Sequence, residues 1–232
     1  MSKLSHLKQA LKSPRPYLAP VSVVLSELHY LPGIPYFRQL LPADALLLDA
    51  HEHYRKQTLR NRAFILTAQG PQVLTVPVLD GASATKIASS AIEIDYRQNW
   101  RHRHLRTLQT AYGGSPYFSY YADYLTDIYA RKPARLWDLN LDLLRLLLRC
   151  LRWPLPLELT TEYLPPAACF PISPPHLLDR RDALTGKTAA AGAIPDSPSQ
   201  RPYPQLFGPA FVPGLSLLDL LFMQGPAAGG FL

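Results

Sequence analysis

The chain has 232 residues, 47% apolar content and a formal net charge of +7, so it can bury a substantial core. Its longest apolar segment, Leu136 to Leu151, contains five polar residues and is excluded as a membrane span. The positive charge favours anionic partners. Two cysteines, Cys150 and Cys169, are too few for a four-cysteine zinc site. A cytoplasmic location is expected, because no apolar signal core precedes Pro14.

Short strands are predicted for the N-terminal half. Residues 1–20 indicate a flexible leader, since they combine basic residues and prolines with little periodicity. Val21 to Leu28 and Ala45 to Leu48 are expected strands, separated by a short helix from Pro35 to Leu41 that begins on a proline.

A hairpin is predicted next. Gly70-Pro71 lies between two strand-like runs, Arg62 to Thr67 and Gln72 to Val78. The second run contains Pro77 and is therefore expected at an edge. Ile92 to Asp95 alternates apolar with acidic residues and is predicted as a further short strand.

The pattern becomes helical from Asn99 onward. One helix is predicted from Asn99 to Tyr112, where it meets Gly113-Gly114, and Ser115-Pro116 is typical of the start of another. A third helix, Leu136 to Cys150, has leucine around most of its surface and should be buried. The fold class is therefore mixed α/β, with a small sheet of short strands packed by three consecutive helices.

The C-terminal third has a different character. Leu157 to Thr160 is a candidate to return to the sheet, which completes an α/β core over 21–162. Residues 163–210 form a predicted proline-rich loop, with 185–200 either disordered or a long surface loop. Residues 211–232 should hold a short helix that docks on the core.

The polar stretch HEHYRKQTLRNR, His51 to Arg62, is the main candidate site because apolar runs flank it. A solvated loop is the ordinary interpretation of such a charge run. Against it, Gln57, Thr58 and Asn61 are interleaved with the cations, and Tyr54 adds an aromatic ring. Guanidinium groups bind phosphate or carboxylate at two points, amides fix orientation and aromatics stack. An anion-binding site is therefore the favoured hypothesis.

Histidine pairs also raise the hypothesis of a metal site. His51 and His53 would share one side of a strand. His102 and His104 cannot both face one ion, because residues two apart on a helix point about 200 degrees from each other. Hydrogen-bonding or surface histidines are favoured, and no metal is predicted.

Motifs for nucleotide binding and nucleophilic catalysis are weak. Gly186-Lys187-Thr188 resembles the end of a phosphate-binding loop, but Arg181 stands where the first glycine belongs. The chain has no Gly-x-Ser-x-Gly elbow. His104 is the best-placed general base, since helical spacing puts Trp100 and Leu108 near its face. A purely structural hydrogen bond by His104 is an equal alternative.

Six motifs in order give the chain a resemblance to the WbqC-like family. They are HYLPGIPYF at 29–37, KQTLRNR at 56–62, LTVPV at 74–78, NWRHRHLRTL at 99–108, YGGSPYF at 112–118 and LSLLDLLF at 215–222. The chain departs from the family where His51 and His53 stand, since many members have an acidic residue and a glutamine there. The resemblance implies a role in bacterial surface-polysaccharide (O-antigen) biosynthesis, by acyl or aminoacyl transfer to a nucleotide-linked amino sugar.

The resemblance also directs attention to particular residues. The positions that match the motifs are Tyr30, Pro32, Tyr36, Lys56, Arg60, Asn61, Arg62, Trp100, His104, Tyr112 and Asp219. His104 is the predicted catalytic base. The predicted substrate contacts are Tyr30, Tyr36, Lys56, Gln57, Arg60, Asn61, Arg62, Trp100 and Tyr112.

The expected partner is an anionic small molecule such as a nucleotide sugar, and no cofactor is specified by the sequence. A non-catalytic binding protein for anionic sugar precursors or nucleic acid is the alternative. Nucleic acid ranks behind the small ligand, since no RNA-binding signature is present.

Overall fold

The strands of the described residues form a parallel sheet and a separate hairpin. The structure is a computed structural model, and it describes residues 22–79, 87–165, 176–184 and 200–232. The strands are β1 (Val23–Ser26), β2 (Ala45–Leu48), β3 (Arg62–Thr67), β4 (Gly70–Thr75), β5 (Leu157–Leu159) and β6 (Leu177–Asp179).

The first sheet has four strands in the order β5-β2-β1-β6, and every neighbouring pair is parallel. All residues of β1 are buried, which explains its continuous apolar run, because a parallel strand is covered on both faces. The predicted strands at Val21 to Leu28, Ala45 to Leu48 and Leu157 to Thr160 are confirmed with slightly different ends. One strand was not predicted: β6 lies inside the segment interpreted as proline-rich loop.

The hairpin β3–β4 pairs antiparallel, with Arg62 opposite Thr75 and Thr67 opposite Gly70. Gly70 has φ of 102°, a left-handed value that favours glycine at the turn. The predicted strand at Ile92 to Asp95 is wrong, since this segment makes only isolated bridges. Its backbone hydrogen bonds are divided between the chain around Pro77 and the chain around Ala134, so no continuous ladder forms.

Five α-helices of the described residues cover the strands. They are α1 (Ile34–Leu40), α2 (Trp100–Tyr112), α3 (Phe118–Ala130), α4 (Leu136–Cys150) and α5 (Leu217–Gln224). Helix α4 has the predicted bounds, and ten of its fifteen residues are buried, as expected from its leucines. Ser216 caps the N-terminus of helix α5, and its hydroxyl accepts the N–H of Leu218 at 3.3 Å. Among the described helices, none has the length and apolar character needed to cross a bilayer.

One hydrophobic cluster joins the parallel sheet to all five helices. A smaller cluster of Leu59, Phe64, Leu66 and Leu215 ties the hairpin to the segment before α5. Several predictions lie outside the described residues: the leader at 1–20, Cys169, the Gly186-Lys187-Thr188 motif and nearly all of the loop at 185–200.

Candidate functional site

The carboxyl ends of the four parallel strands meet at one edge of the sheet, and charged side chains follow three of them. In open α/β sheets, ligands bind in the crevice at this edge. With Arg60, which reaches the same edge, these residues form a group that we call the carboxyl-edge cluster. Its members are Glu27, Asp49, Glu52, Arg60, Asp179, Arg181 and Asp182.

Arg60 lies at the centre of this cluster and is only 3% exposed. Its Nε donates to Oε1 of Glu52 at 2.7 Å, and its Nη2 donates to Oε2 of the same carboxylate at 2.5 Å. Nη2 also lies 3.3 Å from Oδ1 of Asp182. Burial lowers the pKa of Arg60, but the hydrogen bonds and charge of Glu52 raise it above its usual value. The guanidinium is therefore charged and already occupied by carboxylates.

Glu27 holds the end of β1 against the segment after β6. Its Oε1 lies 3.0 Å from Nε2 of His29, and its Oε2 accepts the backbone N–H of Asp182 at 3.1 Å. Burial raises the pKa of Glu27, but the hydrogen bond and charge of His29, together with Arg60, lower it to about 2. Glu27 is thus an ionised carboxylate inside the protein.

Arg181 joins β2 to β6 in the same way. Its Nη1 donates to Oδ2 of the fully buried Asp49 at 2.6 Å, and its Nη2 donates to Oδ2 of Asp179 at 2.6 Å. The backbone carbonyls of Leu164 and Pro165 accept further hydrogen bonds from this guanidinium. Charge-assisted pairs of this kind fix the geometry of the edge.

The net charge of this edge is acidic. Arg55 adds a third arginine, because its Nη1 lies 2.8 Å from Oδ2 of Asp182. Five carboxylates against three guanidinium groups leave an excess of two acidic groups. The carboxylates of Asp179 and Asp182 line the cavity and can accept hydrogen bonds from amines and hydroxyls.

A cavity of about 140 Å³ opens on the cluster. The rings of His53 and Tyr163 stack at its rim, with centroids 5.5 Å apart and planes 20° from parallel. Tyr163 is 50% exposed, so one flat face remains available to a ligand. The lining residues are Glu52, His53, Arg55, Tyr163, Asp179, Arg181 and Asp182. A charged floor beside an aromatic face suits a sugar ring, whose hydroxyls need hydrogen-bond partners and whose C–H face is apolar.

The structure does not assemble the arginines predicted to clamp an anion. Arg60 binds Glu52, Arg62 is half-buried at the start of β3, and the amide Nδ2 of Asn61 donates to the carbonyl of Val76 at 3.0 Å. Lys56 and Gln57 are exposed, and Gln57 has a left-handed φ of 60°. Anion binding by this stretch stays a prediction.

His104, the predicted base, lies in the aromatic core and does not line the cavity. We call its surroundings the His104 cluster, defined by Tyr30, Trp100, His104 and Tyr129. The Tyr30 hydroxyl lies 2.8 Å from Nδ1 of His104 and also hydrogen bonds the hydroxyl of Tyr129. Burial, and to a smaller extent the charge of Arg103, lowers the pKa of His104 to about 4. Its catalytic role stays a prediction.

The remaining predicted contacts, Tyr36 and Tyr112, are also buried. The Tyr36 hydroxyl donates to the carbonyl of Glu27 at 3.1 Å, directly beneath the cluster. The Tyr112 hydroxyl donates to Oδ1 of Asp219 at 2.8 Å and accepts the N–H of Leu66 at 2.9 Å. Tyr112 therefore links α2, the hairpin and α5, away from the cavity.

The acidic residues of the site were not predicted, although the sequence places them at the ends of strands. Glu27 directly follows the run VVLS, Asp49 follows ALLL, and Asp179 ends β6. Polar residues directly after a buried parallel strand meet at its carboxyl edge. Within the described ranges, no group of three or more histidine, cysteine, aspartate or glutamate side chains could hold a metal ion.

Comparison of the sequence with known proteins gives a family match. The model of the WbqC-like protein family matches residues 28–170. A relative from Mycobacterium tuberculosis (strain ATCC 25618 / H37Rv), uncharacterized protein Rv1507c, is 31% identical over 231 residues, covering 90% of this chain and 96% of the relative. No solved structure matches.

Proposed function

Because the chain belongs to the WbqC-like protein family, we propose that it is a transferase that tailors amino sugars in bacterial surface-polysaccharide biosynthesis. It would add an acyl or aminoacyl group to the amine of a nucleotide-linked sugar. The observation that carries the proposal is the cavity at the carboxyl edge, where carboxylates and a stacked aromatic pair lie together.

The cavity has groups for each part of such a substrate. The sugar ring would pack on Tyr163, and its amine and hydroxyls would bind Asp179 and Asp182. Arg55, whose side chain is 61% exposed, and the exposed Lys56 would hold the diphosphate. This assignment moves the anion-binding role from the buried Arg60 to the exposed Arg55 and Lys56.

Acyl transfer also needs a proton acceptor. The amine nitrogen forms a bond to the acyl carbon as the bond to the leaving group breaks, and the nitrogen loses a proton. Asp182 is the best-placed acceptor, because its side chain is 30% exposed and lines the cavity. His104 would instead stabilise the core through Tyr30.

The test is ligand-dependent thermal stability followed by a transfer assay. A nucleotide-linked amino sugar should raise the melting temperature more than the same nucleotide linked to a neutral sugar, since ligands that bind only the folded state stabilise it. Tyr163→Ala should weaken binding about tenfold through loss of stacking. Tyr120→Ala removes a tyrosine ring elsewhere and is the control, since Tyr120 is 70% exposed and Tyr163 is 50% exposed.

Transfer is then followed by mass spectrometry with acyl and aminoacyl donors. Asp182→Asn should lower turnover by a larger factor than it weakens binding of the amino sugar, because Asp179 and Tyr163 still line the cavity. No stabilisation by any nucleotide sugar, or equal effects of Tyr163→Ala and Tyr120→Ala, would contradict the proposed site. Binding without transfer for any donor would favour the non-catalytic binding protein.

A further inference from the structure

A second concave surface lies between the hairpin and helix α2. This cavity, which we call the cationic groove, has a volume of about 390 Å³. The residues on which the argument depends are Thr67, Gln69, Gln72, Arg103, Arg106 and Phe207. In the described part of the chain no acidic side chain lines it. Its charge is therefore opposite to that of the carboxyl-edge cluster.

Arg103 and Arg106 are one helical turn apart on α2, so their side chains project from the same face. Both are exposed, and neither forms an ion pair with a carboxylate in the described ranges. Arg103 donates to the amide oxygen of Gln98 at 3.1 Å, which holds its guanidinium in place. Two neighbouring cations without carboxylate partners form a ready site for an anion.

The opposite walls of the groove supply neutral contacts. Gln69 and Gln72 from the hairpin carry amide donors and acceptors, and Phe207 is a half-buried aromatic side chain. A planar base can stack on such a ring, while amides bind its edge or the ribose. We propose that the cationic groove binds a nucleoside diphosphate, with the two phosphates on Arg103 and Arg106 and the base against Phe207.

The extent of positive charge favours a small ligand over a nucleic acid. The third arginine of this helix, Arg101, is directed elsewhere: it packs over Tyr96 and donates to the carbonyl of Tyr129 at 2.7 Å. Two cations match two phosphates, whereas a nucleic acid needs a longer basic surface.

This site is separate from the proposed amino-sugar site and does not depend on it. Arg62 begins β3 near the carboxyl-edge cluster, and Thr67 ends β3 at the groove. The six residues of the strand span roughly 20 Å. A sugar bound at the carboxyl edge and a nucleotide bound in the groove are therefore two ligands with independent contacts.

Isothermal titration calorimetry with ADP, UDP and inorganic pyrophosphate tests the proposal. Arg103→Gln combined with Arg106→Gln should weaken binding of both nucleotides at least tenfold, because charged hydrogen bonds are lost. Phe207→Leu should weaken ADP and UDP but leave pyrophosphate unchanged. The control is Arg131→Gln combined with Arg145→Gln, which removes the same charge from two arginines that are 64% and 60% exposed.

The outcomes separate the possible ligands. Unchanged nucleotide affinity in the groove variant, or an equal loss in the control variant, would overturn the proposal. Pyrophosphate affinity equal to that of ADP would indicate a simple anion site and would also overturn it. If a single-stranded RNA binds more tightly than ADP and its affinity falls steeply with salt, the groove is a site for a polyanion. That result would also overturn the proposal of a nucleotide site. A free amino sugar carries no diphosphate, so its binding at the carboxyl edge should be the same in the groove variant as in the original protein. Failure of one site is therefore distinguishable from failure of the other.

Discussion

His29 and Tyr30 are adjacent in the chain and face two different regions. His29 contacts the carboxylate of Glu27 in the carboxyl-edge cluster, whereas Tyr30 binds His104 in the His104 cluster. In the first region, buried charges are compensated by opposite charges beside an open cavity. In the second, Tyr30, His104 and Tyr129 form neutral hydrogen bonds within packed aromatic rings.

This difference separates two uses of buried polar residues. Ion pairs at the carboxyl edge keep charges in place near solvent, which is the arrangement that a ligand site requires. Neutral hydrogen bonds among Tyr30, His104 and Tyr129 satisfy these polar groups, so their rings can be buried. The comparison assigns ligand chemistry to the first region and stability to the second, and each assignment can be tested.

The largest effect is expected from breaking the ion pair at the carboxyl edge. Arg60→Ala leaves the buried carboxyl of Glu52 without its bidentate partner, which should lower the free energy of unfolding by about 3–5 kcal/mol. Arg55→Ala is the matched control, since its side chain is 61% exposed and its ion pair should contribute less than about 1 kcal/mol. Urea unfolding measures both. Equal, small losses would show that the buried pair has no special structural role.

The fold was largely predictable because its signals are local. The run ALLL predicted β2 with its observed bounds, and the leucine-rich pattern of α4 predicted both its bounds and its burial. Strand β6 was not predictable in the same way. It has three residues within a proline-rich segment, and its strand conformation depends on hydrogen bonds to β1, 154 positions away at the pair Val23 and Leu177.

The candidate site was predictable only in part, because it depends on strand order. The sequence drew attention to Arg60 as a phosphate ligand, but its guanidinium is paired with Glu52, eight residues earlier. The contribution of Arg181 and Asp182 could not be predicted, since nothing local places β6 beside β1. His104 was correctly expected on a helix face with Trp100, but helical spacing does not say whether that face meets a cavity or the core.

The second prediction concerns the pH dependence of the His104 cluster. The pKa of His104 falls from 6.5 to about 4 in the folded protein, so the folded state favours the neutral imidazole. The contribution of neutral His104 to the free energy of unfolding is fully present above pH 6.5. It is lost as the pH falls toward about 4, which lowers the free energy of unfolding by up to roughly 3 kcal/mol. Glu27 titrates lower, because its pKa is about 2.

His104→Gln keeps a polar side chain beside Tyr30 but does not titrate. Urea unfolding of this variant should therefore lose much of the pH dependence between 6.5 and 4.5 that the original protein shows. His102→Gln is the control, since His102 is exposed on the same helix. An unchanged pH dependence in His104→Gln would mean that His104 can accept a proton in the folded state, as a catalytic base must.

The smallest effect on stability is expected at the cavity rim. His53 is exposed and Tyr163 is 50% exposed, so His53→Ala and Tyr163→Ala should each change the free energy of unfolding by about 0.5 kcal/mol or less. If the stacked pair were a structural contact, each substitution would cost more than 1 kcal/mol and ligand affinity would follow stability. If the pair is a binding surface, amino-sugar affinity falls while urea unfolding is unchanged. Measuring both quantities on the same variants therefore decides whether the rim belongs with the ligand chemistry of the carboxyl edge or with the packing of the core.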